Sequence, residues 1–468
     1  MASLSSNSST VRTIKTYAVI PKTNPQAPRQ LHLSAWDLGM LTAHYIQKGL
    51  LFANPPDLSV EQIVERLRSS LEEALFHFYP LSGRLRLDMC DGGGVTCHVE
   101  LGCAGNGAEF VHAVADGIGI ADVVADGQDL PKFLREFFPL HQFVNFDGCT
   151  DPLLAVQVTE LIDGIFVGCS FNHVLGDGTS FWHFFNAWAE IARCKAAGKE
   201  VVLSRPPLHD RWFIGGYGEP PIKLPYSSPA EFIVRSSQPL LREKMFHFSA
   251  ESLANLKIRA NQECDKDTIS TFQALSALMW RCITRARCIP QEQITGYKLA
   301  IQNRTRLQPP LMPNYFGNSI NAIRTTTTAG ELLDNNLSWA AWLVHQLIND
   351  HTYCAIRDLV HKYMDNPRVY NTHMSDIPIV MMISSPRFDM YSCDFGWGKA
   401  LAVRSGSSNK FDGKLMAFPG WNGDGSIDLE VCLLPEYMAV LEKDEEFLAV
   451  VSAPIEFGVL LGTSGKKV

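Results

Sequence analysis

IFVGCSFNHVLGDGTSFWHFFNAWAEIA, residues 165–192, changes its period in the middle. Ile165–Asn172 is a short apolar run rich in Ile, Val and Phe, with the length and composition of a buried strand. Phe181, Phe184, Phe185, Trp188 and Ile191 then recur at helical spacing. A tight turn must join the two. Gly176 and Gly178 flank Asp177 and are expected to relieve the backbone there. Thr179 or Ser180 is expected to cap the helix. His173 therefore leaves the end of a buried strand, with Asp177 four residues further on in the turn. Strand ends that feed short loops are where many folds place chemistry. An imidazole there is suited to taking up a proton near neutral pH.

Upstream, LLAVQVTEL (residues 153–161) forms a strand pair with this run through Asp163-Gly164, a strong hairpin signal. Val60 to Phe78 carries apolar residues at helical spacing and should be an amphipathic helix that stops at Tyr79-Pro80. RLRLD, VTCHVEL and EFVHAVA read as strands, and TYAVI as the first one. LHLSAWDLGML reads as a loop. Between Leu203 and Leu240 the character changes. Pro206, Pro207, Pro220, Pro221, Pro225, Pro229 and Pro239 crowd a segment that cannot hold a regular central strand or helix. A loop this long needs a reason, and joining two halves is one. Strand and helix patterns then resume. EKMFHFS, YKLAIQ, IPIVMMISS and SIDLEVCLLP read as strands, while 252–261, 271–287, much of 332–364 and 435–451 read as helices.

The whole chain agrees with two halves. Its 468 residues exceed one compact core. The expected layout is an N-terminal domain over 1–202, a crossover over 203–240 and a C-terminal domain over 241–468, each of mixed α/β layers. Apolar residues make up 46% and charged residues 19%, a globular balance rather than a disordered one. The formal charge is −8, the pI is near 6.0, and no basic stripe appears, so no nucleic-acid partner is expected. No apolar run reaches membrane-spanning length, so no membrane partner is expected either. Twelve cysteines contain no C-x-x-C pair and no zinc spacing; no metal is expected, and reduced thiols fit a cytoplasmic protein. The Ser-rich opening MASLSSNSSTVRTIK lacks the apolar core of a secretory signal and reads as a frayed tail.

The H-x-x-x-D-G spacing gains weight beside a second stretch, Asp394-Phe395-Gly396-Trp397-Gly398. In this order, and half a chain apart, the two motifs resemble the BAHD acyltransferases of plants. YPLSGRL (79–85), FQALSALMWR (272–281), NRTRLQPPLMPNYFGN (303–318) and SSPRFDMYSCDFGWGKA (384–400) extend the resemblance over nearly the whole chain. DPLLAVQVTELIDG (151–164) is most similar to a branch that holds a cutin-related acyltransferase and a salicylate-pathway lyase lacking the motif His. The resemblance implies two chloramphenicol-acetyltransferase-like domains with a channel between them. It implies an acyl-CoA co-substrate, no permanently bound cofactor, a small-molecule acceptor and a monomer. A lyase on the same fold, or a silent binding protein, are the alternatives; the presence of His173 favours transfer.

The same resemblance assigns roles. His173 becomes the general base. Asp177 points away from the substrate and pairs with an Arg, either Arg304 or Arg306, two residues apart and expected on one strand face; Arg304 is favoured. Asp394, Gly396 and Trp397 support the fold beside the site. Arg387 falls where some members hold an acidic acceptor, although a structural Arg suits the position equally. Lys257 and the Ser270-Thr271 pair before the long helix are candidate contacts for coenzyme A, as a point charge and a helix N-terminus. A solvated Lys and an ordinary cap are the plain alternatives.

Overall fold

The computed structural model describes residues 11–453 apart from 23, 26, 103–105, 126, 215, 218–220, 236–239, 263–267 and 371–375. Residues 1–10 of the expected tail and the prolines at 220 and 239 lie outside the described residues, whereas 11–15, expected as tail, belong to the Val11–Val19 strand that pairs with Ala108–Ala115.

Two six-stranded sheets carry the molecule. The first runs Val11–Val19, Ala108–Ala115, Leu154–Glu160, Gly164–Phe171, Ile46–Ala53 and Ala402–Ser405 in spatial order. The second runs Arg242–Phe248, Ile427–Leu433, Lys414–Pro419, Ile379–Ile383, Ile294–Gln302 and Ile320–Thr328. A three-stranded sheet of Gln30–His32, Val95–Glu100 and Arg84–Met89 stands apart from both.

The Gly164–Phe171 strand is buried at every position because both of its faces are covered. Ile165, Val167, Cys169 and Phe171 enter the main core, while Phe166 joins a second cluster with Phe137 and Phe138. This two-sided burial explains why the stretch shows no polar alternation. Its antiparallel pairing with Leu154–Glu160 sets Glu160 opposite Ile165, so the Asp163-Gly164 hairpin is present. The Gly178–Ala196 helix lies over the main core and buries Phe181, Phe184, Phe185 and Trp188. Trp188 donates its indole N–H to the Ser70 hydroxyl at 3.0 Å, which ties this helix to Val60–His77. That second helix starts at a Ser59–Gln62 capping box and ends at Phe78, two residues before Pro80.

Several elements differ from the sequence expectation. LHLSAWDLGML is not a loop: it holds the Gln30–His32 strand and a capped turn of helix, Ala35–Leu38. The region 435–451 breaks into Pro435–Leu441 and Glu445–Leu448, because Asp444 caps a new helix start. The crossover is also more engaged than a linker. Leu224 exchanges backbone hydrogen bonds with Val95 at 2.8 and 2.9 Å, and Leu208 pairs with Tyr315 of the second half.

The first sheet takes its last strand from the second half of the chain. Ala402–Ser405, late in the sequence, closes the first sheet by pairing with Ile46–Ala53. The chain then crosses and enters the second sheet at Lys414. A Cβ at Gly168 would stand 2.2 Å from the Phe137 carbonyl oxygen, which is backbone and cannot turn aside. We therefore expect Gly168→Ala to lose ~1–3 kcal/mol or more of stability through overpacking, read as a lower urea midpoint with an unchanged slope.

Candidate functional site

Asp177 itself is the N-cap of the Gly178–Ala196 helix, in place of the expected Thr179 or Ser180. Its Oδ1 accepts the N–H of Thr179 at 3.0 Å and of Ser180 at 3.2 Å. A carboxylate at this position satisfies orphan N–H groups and meets the positive end of the helix dipole. Gly176 and Gly178 are required for space rather than for backbone relief, since neither has a left-handed φ. A Cβ at Gly176 would lie 2.5 Å from the Ser180 Cβ, and one at Gly178 would lie 3.0 Å from the Phe388 ring.

Asp177 is fully buried and is held in a fork by Arg304, with Nη1 to Oδ2 at 2.6 Å and Nη2 to Oδ1 at 2.9 Å. The Ser319 N–H adds a bond to Oδ2 at 2.9 Å. Burial opposes ionisation, but the Arg304 charge and these hydrogen bonds outweigh it and hold the carboxyl below its usual range. Arg306 does not share this role. It donates to the carbonyls of Ile348 at 3.1 Å and His351 at 3.0 Å. Both arginines lie past the end of the Ile294–Gln302 strand, in a turn, so the expected common strand face does not exist.

His173 is half-buried just beyond the Gly164–Phe171 strand. Its backbone N–H is fixed by the Asn145 Oδ1 at 2.8 Å. Burial lowers its pKa below the ordinary imidazole value, and the nearby Lys414 charge adds to this. The His173 carbonyl, the Asp177 charge and the Asn318 side chain act the other way. The net depression leaves the ring neutral at pH 7.

Sequence reasoning missed three residues around this ring. Asp37 is fully buried and pairs with Arg211, which comes from the Pro-rich crossover, at 2.8 Å. Arg211 also donates to the Leu175 carbonyl at 3.1 Å, inside the turn. Asn318 donates its amide to Asp37 Oδ1 at 2.8 Å and to the His173 carbonyl at 2.7 Å. Its Oδ1 and the His173 Nδ1 are both buried without a hydrogen-bond partner. The one signal was a lone Asp inside apolar LHLSAWDLGML; a carboxylate in such a setting demands a buried cation.

The second motif is built as a turn. Asp394 Oδ1 accepts the N–H groups of Gly396, Trp397 and Gly398 at 2.7, 3.1 and 2.9 Å. Gly396 and Gly398 have φ of 104° and 112°, a conformation that demands glycine. Phe395 packs edge-on against Trp188, with centroids 4.8 Å apart, and Trp397 stacks on Phe395. Arg193 donates to the Asp394 carbonyl. The motif thus grips the C-terminal half of the helix that Asp177 begins. Arg387 is exposed, beside Phe388, whose ring touches Gly178.

Lys257 and Thr271 line one cavity of about 770 Å³ in the second half, together with Asn261 and Asp424. Ser270 is engaged as the cap of the Thr271–Ala286 helix, its hydroxyl accepting the Gln273 N–H. Among the described residues, no group of three or more His, Cys, Asp or Glu is placed to hold a metal ion. No described helix is long and apolar enough to cross a membrane.

The Transferase family matches residues 9–448. Three Arabidopsis thaliana proteins are each 36% identical to the chain. An uncharacterized acetyltransferase aligns over 91% of this chain and 95% of its own, and the protein Enhanced Pseudomonas Susceptibility 1 over 92% and 95%. The BAHD acyltransferase DCR aligns over 90% and 88%. In fold, the chain matches vinorine synthase at a TM-score of 0.73, with 21% identity over 95% of this chain and 99% of the other. It matches F. graminearum TRI101, complexed with coenzyme A and deoxynivalenol, at 0.71 with 17% identity over 90% and 99%. The class is therefore a transferase of two sheet-bearing halves. The chain belongs to the BAHD acyltransferases.

Removing one partner of a buried ion pair strands the other charge, typically at ~3–5 kcal/mol. We expect Asp177→Asn and Arg304→Ala each to lower stability on that scale and to be strongly non-additive together, whereas Arg306→Ala combined with Asp177→Asn adds simply. A double-mutant cycle in chemical denaturation checks both statements.

Proposed function

We propose that the chain moves an acyl group from an acyl-CoA thioester to a hydroxyl or amine of a small plant metabolite, with His173 as general base. The carrying observation is a neutral, half-buried imidazole at a strand end, whose neighbouring carboxylate is fully engaged elsewhere. Nε2 takes the acceptor proton as the oxygen or nitrogen attacks the thioester carbonyl. The tetrahedral adduct then collapses, the C–S bond breaks, and the imidazolium returns the proton to the departing thiolate. The products are an ester or amide and free coenzyme A. Asn318 holds the turn under the ring through the His173 carbonyl, and its side chain favours the protonated imidazole that forms during transfer. Asp177 with Arg304, and Asp394 with Gly396 and Trp397, hold the shape around it.

In this reading the domains are 1–202, completed by the Ala402–Ser405 strand, and the remainder of 241–468, with the reacting groups between them. Lys257 and the N-terminus of the Thr271–Ala286 helix receive the phosphates of coenzyme A. Arg387 lies toward the acceptor. The cavity at Lys257 supports this placement, and the coenzyme A complex of TRI101 supports the kind of donor. No permanent cofactor is needed, the working unit is a monomer, and the location is cytoplasmic.

His173→Ala is expected to slow thiol release by roughly 10²–10⁴-fold while the protein stays folded. Because the neutral ring is the active form, wild-type kcat/KM should hold above the depressed His173 pKa and fall as the pH drops through it, below the usual histidine range. Wild-type-like turnover in a folded His173→Ala protein rejects the base.

Free coenzyme A at a hundred times its Kd should stabilise the fold by about 2.7 kcal/mol. Thermal shifts with coenzyme A and its dephospho form, on wild type and Lys257→Ala, read this. No shift at millimolar ligand counts against the donor. A shift that Lys257→Ala leaves unchanged removes only the phosphate contact.

A further inference from the structure

Two asparagines grip the His173 backbone from opposite sides. Its N–H goes to the Asn145 Oδ1 at 2.8 Å, and its carbonyl accepts the Asn318 amide at 2.7 Å. His173 lies past the end of the Gly164–Phe171 strand, beyond the ladder, so these two bonds decide where the ring is carried.

Each asparagine is seated by a carboxylate. Asn318 binds Asp37 directly at 2.8 Å. Asn145 stands two residues before Asp147, whose Oδ2 accepts the Val144 N–H at 2.9 Å and closes the short turn Asn145–Cys149. Each carboxylate then meets an arginine, and both arginines come from the Pro-rich crossover. Arg211 reaches Asp37 at 2.8 Å. Arg235 forks onto Asp147, with Nη1 to Oδ2 at 3.1 Å and Nη2 to Oδ1.

The Arg235 arm ends on a bracket with no slack. Asn145 is fully buried, and its remaining polar groups are all engaged. Its N–H goes to the Ala43 carbonyl at 2.7 Å and its Nδ2 to the Met40 carbonyl at 2.8 Å, while its own carbonyl accepts the Asn172 amide at 2.8 Å. It therefore fixes both residues at the strand end, Asn172 and His173, against the 40–43 segment. The crossover covers this turn from outside. Phe232 packs edge-on against Phe146, with centroids 5.6 Å apart, and against Tyr226 at 4.8 Å. The Tyr226 hydroxyl accepts the Val369 N–H of the second half at 3.2 Å. A segment that only joined two domains would need none of these contacts.

We infer that the crossover is a two-armed strap that positions His173, and that Arg235 is a positioning residue of the reaction, acting through Asp147 and Asn145. The inference rests on the acyl-transfer reading and adds to it how the base is held in place. The Arg235 side chain is 56% exposed, so the pair adds little to global stability, and its removal leaves Asp147 its backbone partner. Its two-pronged geometry gives orientation instead. A ring displaced by a fraction of an ångström reacts more slowly, whereas the donor cavity at Lys257 is built from other residues and is left intact.

The test uses the full-length protein with Arg235→Ala, Arg235→Lys and Asp147→Asn. Hydrogen–deuterium exchange with mass spectrometry follows the peptides that carry His173, and steady-state kinetics follow thiol release. Arg235→Ala and Asp147→Asn should each speed exchange at His173 and lower kcat by about three- to ten-fold, with the KM for the acyl donor unchanged. Arg235→Lys should recover part of both, since it restores the charge without the fork. Arg235→Ala should melt within about 4 °C of wild type. Unchanged exchange at His173 in both Arg235→Ala and Asp147→Asn overturns the strap, as does faster exchange there with wild-type kcat. Faster exchange across the whole first sheet, with the donor KM rising alongside, also overturns it and makes the arginine ordinary cement of the fold. A wild-type protein that turns over no acyl-CoA refutes the acyl-transfer reading instead, and the exchange at His173 still judges whether the strap holds that residue.

Discussion

The buried fork between Asp177 and Arg304 is the constraint on which the site depends. Asp177 belongs to the first half and Arg304 to the second. A fully buried carboxylate needs its cation, so the turn after His173 keeps its shape only while the segment around Arg304 stays docked. Ser180 reinforces the same seam, giving its hydroxyl to the Gly317 carbonyl at 2.9 Å and taking the Gly317 N–H at 3.0 Å. The Asp37–Arg211 pair repeats the device from the other side, using the crossover. Asn318 ties the Asp37 pair to the turn, contacting Asp37 and the His173 carbonyl at once. The position of one imidazole is thereby set by four separate stretches of chain.

This arrangement also fixes the role Asp177 can have. In a Ser-His-Asp triad the carboxylate must face the imidazole N–H. Here both carboxylate oxygens are consumed by Arg304, the helix N–H groups and Ser319. Asp177 acts on His173 only at a distance, as a charge, and its structural contribution is to start the helix. The motif spacing follows from that: the residues between His173 and Asp177 are the turn that converts a strand end into a helix N-terminus.

Much of this was legible in the sequence, and the reasons differ by element. The strand–turn–helix of residues 165–192 could be read because its period changes from a continuous run to a 3.6-residue repeat. The Arg304 partner came from resemblance, since residues this far apart leave no local signal. The Ile46–Ala53 strand was not read, although it lies inside the first sheet, because Gln47, Lys48 and Gly49 interrupt its apolar pattern. Those interruptions have physical causes. A Cβ at Gly49 would strike the Phe166 ring at 2.4 Å, and Lys48 faces the seam between the sheets. Ala402–Ser405 escaped for a different reason: four residues are too few for alternation to show, and its partner lies in the other half. Asp37, Arg211 and Asn318 look ordinary singly and gain meaning only when the fold assembles them.

The seam treats its charges unevenly, and the unevenness connects to the chemistry. Around Asp177 and Asp37 each carboxylate is matched by an arginine fork and backbone N–H groups, which suits a rigid frame. Around Lys414 the amines outnumber the carboxylates, and the excess positive charge contributes to keeping His173 neutral. Burial pushes the Lys414 amine itself down to about 7, so the pressure it puts on the imidazole fades as the pH rises through that value. The seam thus spends its arginines on holding the turn still and leaves its lysines to bias the ring toward the neutral form.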